Sequence, residues 1–293
     1  MKAWIRCLQD RPSFHIRTDT ANTAARPKKR LNKNMETTRI EMEQELDAEK
    51  PIFLEGLAGI GHIGRNVVSY IAEHTESERI GAIYSHHFPP FTMVNEDKTV
   101  RTIRNEIYQL KRDEKQDIVL LEGNAQANTP EGHHEVAEKL MELVDDIEAS
   151  QIITVGGYGT GDVVEDPSVF GVTTSTEKQE KHSDAGIEFD HDVGQIVGVS
   201  GLLLGMGEER GYEGICVLGE TPGFLLSDPK STEEVLKAVE QLIEVDLDYS
   251  ELDEKVEESQ DILKKVQNLK KNSPSPNQEN QGQSGGNDLG YIG

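Results

Sequence analysis

The chain has 293 residues, a formal net charge of −24 and 35% hydrophobic residues, a length that fits one or two domains. Its acidity argues against a nucleic-acid binder, which needs clustered Lys and Arg, and against docking on an anionic membrane. No apolar run approaches the roughly 18–20 residues that span a bilayer, and two cysteines cannot form a disulfide framework, so a soluble, cytoplasmic protein is predicted.

The first 34 residues differ in charge from all that follow. They hold nine basic and two acidic residues, which leaves −31 for residues 35–293. They lack the apolar core of a secretory signal; they could be an organelle transit peptide, and we favour a true start at Met35. Residues 1–49 are predicted to be a disordered or non-native extension. The acidity of the remainder suits a salt-rich cytoplasm, which screens its self-repulsion.

Strand and helix patterns alternate from residue 50 to residue 246. Spacing and caps predict strands at 51–54, 80–84, 117–121, 151–155 and 214–218, and helices at about 63–74, 130–147, 196–206 and from 231 onward. Such alternation implies βαβ units and a largely parallel, helix-covered sheet. We therefore predict one α/β domain over residues 50–246, with a charged insertion at 175–192.

Two β-rich runs interrupt this alternation. They are Phe91–Val94 and Val100–Leu110, separated by the polar tetrad Asn95-Glu96-Asp97-Lys98. A short polar connection between two such runs is typical of a hairpin. We expect this hairpin to make the sheet mixed.

The chain beyond the domain has a different composition. Residues 247–271 predict a charged helix with a thin apolar seam, too irregular for a stable coiled coil. Residues 272–288 are almost free of apolar side chains, as in a disordered linker. The last five residues, Leu289-Gly290-Tyr291-Ile292-Gly293, then restore three large hydrophobic groups. Residues 272–293 are predicted to be a flexible tail that carries a docking peptide.

The clearest enzyme-like motif is Gly59-Ile60-Gly61-His62-Ile63-Gly64, a GxGxxG sequence between a predicted strand and a helix. In a dinucleotide site, Gly59, Gly61 and Gly64 would let the backbone approach a pyrophosphate. The carboxylate expected about 20 residues later is replaced by Ser85-His86-His87. We favour tight packing of strand and helix as the role of these glycines, with a nucleotide- or nucleoside-binding enzyme as the alternative function.

Other candidate residues give no catalytic or metal set. Gly156–Asp162 could form an anion-binding nest, although any glycine-rich strand exit looks the same. The pairs His86-His87 and His133-His134 diverge on a strand or helix and have no ligand at i+4, and Asp190-His191-Asp192 is expected to be solvated. Cys216 reads as a small buried hydrophobe, and Ser200 lacks a nucleophile elbow. We predict no catalytic residue, no metal and no cofactor.

The apolar tip of the tail is harder to explain by internal packing. A disordered tail gains nothing intramolecular by ending in Leu289, Tyr291 and Ile292. Exposed apolar side chains beside a free carboxylate are what peptide-capturing proteins bind. A linker of about 17 residues spans roughly 20–25 Å, enough to reach a partner. We predict that Leu289, Tyr291, Ile292 and Gly293 bind a partner protein; self-association or a degradation tag remain alternatives.

Several motifs together resemble the archaeal branch of the proteasome assembly chaperone family, type 2. They are Phe53-Leu54-Glu55-Gly56 followed by the Gly59–Gly64 turn, Ile153-Thr154-Val155-Gly156-Gly157-Tyr158, Gly219-Glu220-Thr221-Pro222-Gly223, and the Tyr-bearing terminus. The resemblance covers about residues 50–293. It implies a three-layer, mixed but mostly parallel α/β fold similar to nucleoside phosphorylases without their active site.

The same resemblance implies a non-enzymatic role. Members of the family assemble or activate the 20S proteasome as homo-oligomers, and their tails enter pockets between α subunits. The usual anchor places Tyr second from last, whereas here Ile292 is second from last and Tyr291 third. Leu289 and Ile292 could supply the apolar contact in its place.

Overall fold

A computed structural model describes residues 36–95 and 97–257. The chain divides into two compact units, one that includes Phe91–Thr102 and one formed by Thr37–Pro90 together with the chain from Ile103 onward. The second unit contains an eight-stranded sheet. Its strands are β1 (Thr38–Met42), β2 (Ile52–Gly56), β3 (Glu78–Ser85), β6 (Asn105–Leu110), β7 (Ile118–Gly123), β8 (Gln151–Gly159), β9 (Val169–Thr173) and β10 (Gly214–Thr221).

The sheet has a parallel centre and antiparallel edges. Its strand order is β1-β3-β6-β7-β2-β8-β10-β9. The central pairs β7–β2, β2–β8 and β8–β10 are parallel, whereas β1–β3, β3–β6, β6–β7 and β10–β9 are antiparallel. The prediction of a mixed α/β sheet is confirmed, but the expected parallel majority is wrong for the described strands. The three parallel pairs lie together at the centre, and every pair of outer strands is antiparallel.

Helices cover both faces of this sheet. They are α1 (Ile63–His74), α2 (Pro130–Asp146), α3 (Gln179–Ser183), α4 (Val199–Glu209) and α5 (Pro229–Ile243), with residues 250–257 also helical. α1 packs with α5, and α2 packs with α4. The apolar residues separate accordingly into one core cluster that includes α1 and α5 and another that includes α2 and α4. The sheet is therefore the middle of three layers.

Local sequence signals explain the two longest helices. The Thr129 side chain accepts a 3.1 Å hydrogen bond from the amide of Gly132, with Pro130 in the first helical position, as the sequence predicts. The start of α5 differs from the predicted residue 231. The carboxylate of Asp228 accepts the amide of Ser231 at 3.1 Å, so the helix begins at Pro229, two residues earlier.

The N-terminal boundary also differs from the prediction. β1 lies inside the stretch 1–49 that was expected to be disordered or non-native, and it pairs with β3 from Thr38 opposite Ser85 to Met42 opposite Gly81. The alternation of charged residues with Ile40 hides this strand in the sequence. A short edge strand needs only one buried face, and Ile40 packs against the α2-side core.

The predicted hairpin forms, but outside the main sheet. β4 (Thr92–Val94) and β5 (Val100–Thr102) pair only with each other in the described chain. The second β-rich run is divided, because β6 begins at Asn105 and joins β3 and β7. The hairpin is therefore not what makes the main sheet mixed.

Candidate functional site

The glycine-rich turn lies at the carboxyl end of β2. Residues Ile60–His62 form one 3-10 turn, in which Gly61 has φ 62°, and α1 follows directly. His62 is also left-handed, with φ 51°. The amide of Asp228 donates to the carbonyl of Gly61 at 2.9 Å. This hydrogen bond connects the turn to the residue that precedes α5.

The glycines of this turn and of its neighbours allow backbones to touch. A Cβ on Gly64 would overlap the carbonyl oxygen of Val155, and one on Gly157 would overlap the carbonyl oxygen of Ile60. A Cβ on Gly56 would overlap the carbonyl of Gly64. These contacts bring α1 against β2 and β8. They support the packing role predicted for Gly64.

Asp228 connects the end of β10 to α5. It accepts a 2.7 Å hydrogen bond from the Thr221 hydroxyl and caps the helix with its other oxygen. The loop between these residues exposes Phe224 and Leu226, at 53% and 57%. The Gly219–Gly223 motif therefore contains the end of β10, which is hydrogen-bonded to Asp228 through Thr221. It leads into a loop with exposed apolar side chains.

A cluster of polar side chains is buried between the sheet and α4. Glu55, Thr154 and Cys216 occupy one row across β2, β8 and β10, and each is 0% exposed. The Ser200 hydroxyl donates to Glu55 Oε1 at 3.2 Å, whereas Oε2 has no hydrogen-bond partner. Burial raises the pKa of Glu55 to about 8, so the carboxyl is protonated at neutral pH.

The same burial explains Cys216. Its thiol pKa is raised to about 12 by desolvation, which leaves almost no thiolate for nucleophilic attack. The prediction of a buried hydrophobe is confirmed. Sequence reasoning passed over Glu55, although a carboxylate inside the apolar strand Ile52-Phe53-Leu54-Glu55 was a visible signal.

Arginines collect on the sheet face that carries α1, along the outer strands. Arg104 donates to the Tyr84 hydroxyl at 3.2 Å and to Glu106 at 3.0 Å, and Arg79 approaches Glu106 at 3.6 Å. Arg39 stacks over the Tyr84 ring at 4.7 Å. Burial alone would raise the pKa of Glu106, but hydrogen bonds from Tyr108 and Arg104 hold it below its usual value. Arg39, Arg79 and Arg104 pair with the carboxylates of Glu41, Glu43 and Glu106, so the network is charge-balanced and partly buried.

The chain after α5 is attached to α1. Tyr70 stacks on His74 with ring centroids 3.8 Å apart and donates from its hydroxyl to the carbonyl of Asp248. The Tyr249 hydroxyl donates to Glu240 at 2.6 Å. Leu252 and Val256, only 4% and 7% exposed, belong to the core cluster of α1 and α5. The start of the predicted charged helix is therefore anchored to the domain.

Three of the candidate histidines, His87, His133 and His191, contact other groups of the chain itself. His87 Nε2 lies 3.0 Å from Glu135 Oε2, and His133 Nε2 lies 2.7 Å from the carbonyl of Ala127. His191, expected to be solvated, is half-buried: Nε2 lies 2.8 Å from the carbonyl of Gly171. Residues 36–95 and 97–257 contain no group of three or more His, Cys, Asp or Glu side chains arranged to hold a metal.

The predicted docking residues Leu289, Tyr291, Ile292 and Gly293 lie outside the described residues. The described chain ends at residue 257, within the segment that is anchored to α1 and α5. Among the helices of the described ranges, none combines the length and apolar character needed to cross a membrane.

The sequence is similar to that of a known protein family and of a relative from an archaeon. Residues 53–267 match the model of the PAC2 family. A relative from Methanocaldococcus jannaschii, described as uncharacterised, is 34% identical over 218 residues, which cover 74% of this chain and 83% of the relative.

Two solved structures share the fold. PbaB of Pyrococcus furiosus, described as an archaeal proteasome activator, is 32% identical with a TM-score of 0.74, covering 80% of this chain and 100% of PbaB. PbaA of the same organism, described as an archaeal homolog of proteasome-assembly chaperone, has a TM-score of 0.66 at 21% identity, covering 80% of this chain and 94% of PbaA.

Proposed function

The chain belongs to the PAC2 family, and from that membership we propose that it is a non-enzymatic chaperone or activator of the 20S proteasome. The observation that carries the proposal is the similarity to PbaB, which extends over the whole of that protein at 32% identity. The proposal includes a cytoplasmic location and a homo-oligomeric state, as the family resemblance implies.

The proposed contact is made by the tail. Leu289, Tyr291 and Ile292 enter apolar pockets between α subunits, and the carboxylate of Gly293 meets a Lys or a backbone nest. Support comes from the anchoring of Tyr249, Leu252 and Val256 to the α1–α5 core, because it gives the tail a fixed point of departure. In the proposed homo-oligomer, binding of one tail raises the effective concentration of the other tails at neighbouring pockets.

The alternative, a nucleotide- or nucleoside-binding enzyme, receives less support. A Cβ on Gly61 would lie 3.3 Å from the Thr221 hydroxyl and one on Gly64 would overlap the carbonyl oxygen of Val155, so both positions face their own chain. Calorimetry with a nucleotide panel tests it. Saturable binding that is abolished in Gly61→Val would favour the enzyme over the chaperone.

Capture of purified 20S particles tests the proposal. Deletion of Leu289–Gly293 is expected to abolish capture by the immobilised chain. The matched control deletes the five linker residues Gln281–Gly285 and keeps the tip, so capture persists. Equal capture by both deletion variants would contradict tail docking, and no capture even by the intact chain would contradict the proteasome as partner.

A further inference from the structure

The hairpin β4–β5 is a small structure when taken by itself. Its strands pair through Thr92 with Thr102, Met93 with Arg101 and Val94 with Val100. An isolated two-stranded hairpin is marginally stable in water. A surface that stabilises such a hairpin by packing on it would contribute directly to its order.

Hydrogen bonds join Asn95, Asp97 and Thr99 next to the turn of the hairpin. The Asn95 amide donates to the carbonyl of Thr99 at 2.9 Å, and its side chain donates to the Thr99 hydroxyl at 2.8 Å. The carboxylate of Asp97 accepts the Thr99 amide at 2.9 Å. These bonds fix the register of the two strands, so the side chains are presented in a set order.

One face of the hairpin consists of β-branched side chains. Because side chains alternate along a strand, Thr92, Val94, Val100 and Thr102 share a face. Val94 is 65% exposed and Val100 68%, and both threonines are also exposed. Phe91, just before β4, is 51% exposed. Three of the eight large hydrophobic residues that are exposed in the described chain thus fall within twelve residues.

The hairpin carries less negative charge than the chain as a whole. Residues 91–102 contain Glu96, Asp97, Lys98 and Arg101 and so have no net charge, whereas residues 35–293 together carry −31. Two copies of so acidic a chain repel each other over most of their surface. A neutral face rich in apolar area is where a second copy can approach without that repulsion.

We propose that the hairpin face formed by Thr92, Val94, Val100 and Thr102 is a self-association surface, which packs on a second copy of this chain. Val94 and Val100 are its central contacts, and Phe91 lies beside them. Packing of β-branched side chains on one another suits two pleated surfaces placed face to face. The inference rests on the homo-oligomeric part of the proposed function and specifies its contact.

The first test is the mass of the full chain in solution. Sedimentation equilibrium of the unmodified chain should give a multiple of 32.5 kDa. In Val94→Asp/Val100→Asp the larger species is lost at concentrations where the unmodified chain stays assembled, because carboxylates would be buried in the contact. The control Val164→Asp/Val197→Asp adds the same charge at valines that are 37% and 36% exposed and keeps the larger mass.

The outcomes separate the inference from its premise. A monomeric unmodified chain would overturn both the homo-oligomer and the hairpin contact. An assembled chain whose hairpin variant keeps the same mass would overturn the hairpin contact alone. Loss of 20S capture in that variant without a change in mass would assign the face to another partner, which also contradicts the inference.

Cross-linking provides a second test that does not depend on destabilising the hairpin. In a Cys7→Ser background, Val94→Cys is expected to join two chains with a short bismaleimide, since Cys216 is buried. Val164→Cys is the matched control and stays uncross-linked. If the two cysteines cross-link equally, or neither does in an assembled sample, the hairpin is not the contact.

Discussion

Individual side chains at the centre of the sheet have roles set by their burial. Glu55 is fully buried, accepts a hydrogen bond from Ser200 and has a pKa raised to about 8 by desolvation. In an unfolded chain the same carboxyl would titrate near 4.5. Between these values the folded state binds the proton that the unfolded state has released, so this group lowers stability as pH rises.

The substitution Glu55→Gln tests that linkage. The amide does not ionise, so the free energy of unfolding of the variant relative to the unmodified chain should rise steadily from pH 5 to pH 8. Urea denaturation at pH 5, 6.5 and 8 measures it. Glu138→Gln, at an exposed position of α2, is the control. A constant difference across this range would show that Glu55 is ionised in the fold.

Close packing at the glycine turn gives a second residue-level prediction. Gly64→Ala places a Cβ against the carbonyl of Val155 and is expected to cost about 1–3 kcal/mol of unfolding free energy. Gly205→Ala, in the exposed part of α4 with nothing within 4 Å of the added Cβ, should instead stabilise by up to about 1 kcal/mol. Denaturant titration compares the two, and equal effects would contradict the packing role of Gly64.

Helices and strands position the glycine turn and the segment that leads to the tail. α1, β8 and β10 end or begin around the glycine turn, and α1 and α5 together hold the chain that leads to the tail. Tyr70 reaches the carbonyl of Asp248, and Tyr249 reaches Glu240. The segment after α5 thereby acts as an anchor with both apolar and hydrogen-bonded contacts.

Removal of an apolar contact should loosen this anchor. Leu252→Ala deletes a side chain that is 4% exposed and is expected to cost about 2–5 kcal/mol of local stability, seen as faster amide exchange over residues 246–257. The control Leu226→Ala, at a leucine that is 57% exposed, should leave that exchange unchanged. Unaltered exchange in Leu252→Ala would mean that the segment is held by its hydrogen bonds alone.

Much of the fold could be predicted because local signals and buried runs agree. The strand Ile52–Gly56 is wholly buried and α2 has both its cap and its apolar stripe, so pattern alone identifies them. β1 is not recognisable because charged residues alternate with its two apolar residues, Ile40 and Met42, and α5 begins before residue 231 because Asp228 caps it. The pairing of Glu55 with Ser200, 145 residues later, depends on tertiary structure and has no sequence pattern.

The whole molecule is dominated by negative charge. With −31 on residues 35–293, the folded chain repels itself, and ions screen this over about 10 Å at 0.1 M salt and about 3 Å at 1 M. The arginines paired with Glu106 and with Glu43 offset the charge only locally. Salt is therefore expected to stabilise the folded state by screening repulsion across the whole surface.

Unfolding should consequently occur at a higher temperature in concentrated salt. The midpoint measured by circular dichroism is predicted to rise between 0.1 M and 2 M KCl, because screening weakens the repulsion that opposes the compact state. An unchanged or lower midpoint at 2 M KCl would show that favourable ion pairs, and not self-repulsion, dominate the surface.

The central claim is that this PAC2 family member acts by binding a proteasome through its terminal peptide. The direct measurement is the equilibrium dissociation constant for purified 20S particles, obtained for the intact chain and for a chain that ends at Asp288. We predict a loss of affinity of about 100-fold or more, equivalent to about 2.7 kcal/mol, when Leu289–Gly293 are absent. Equal dissociation constants for the two chains would contradict the claim.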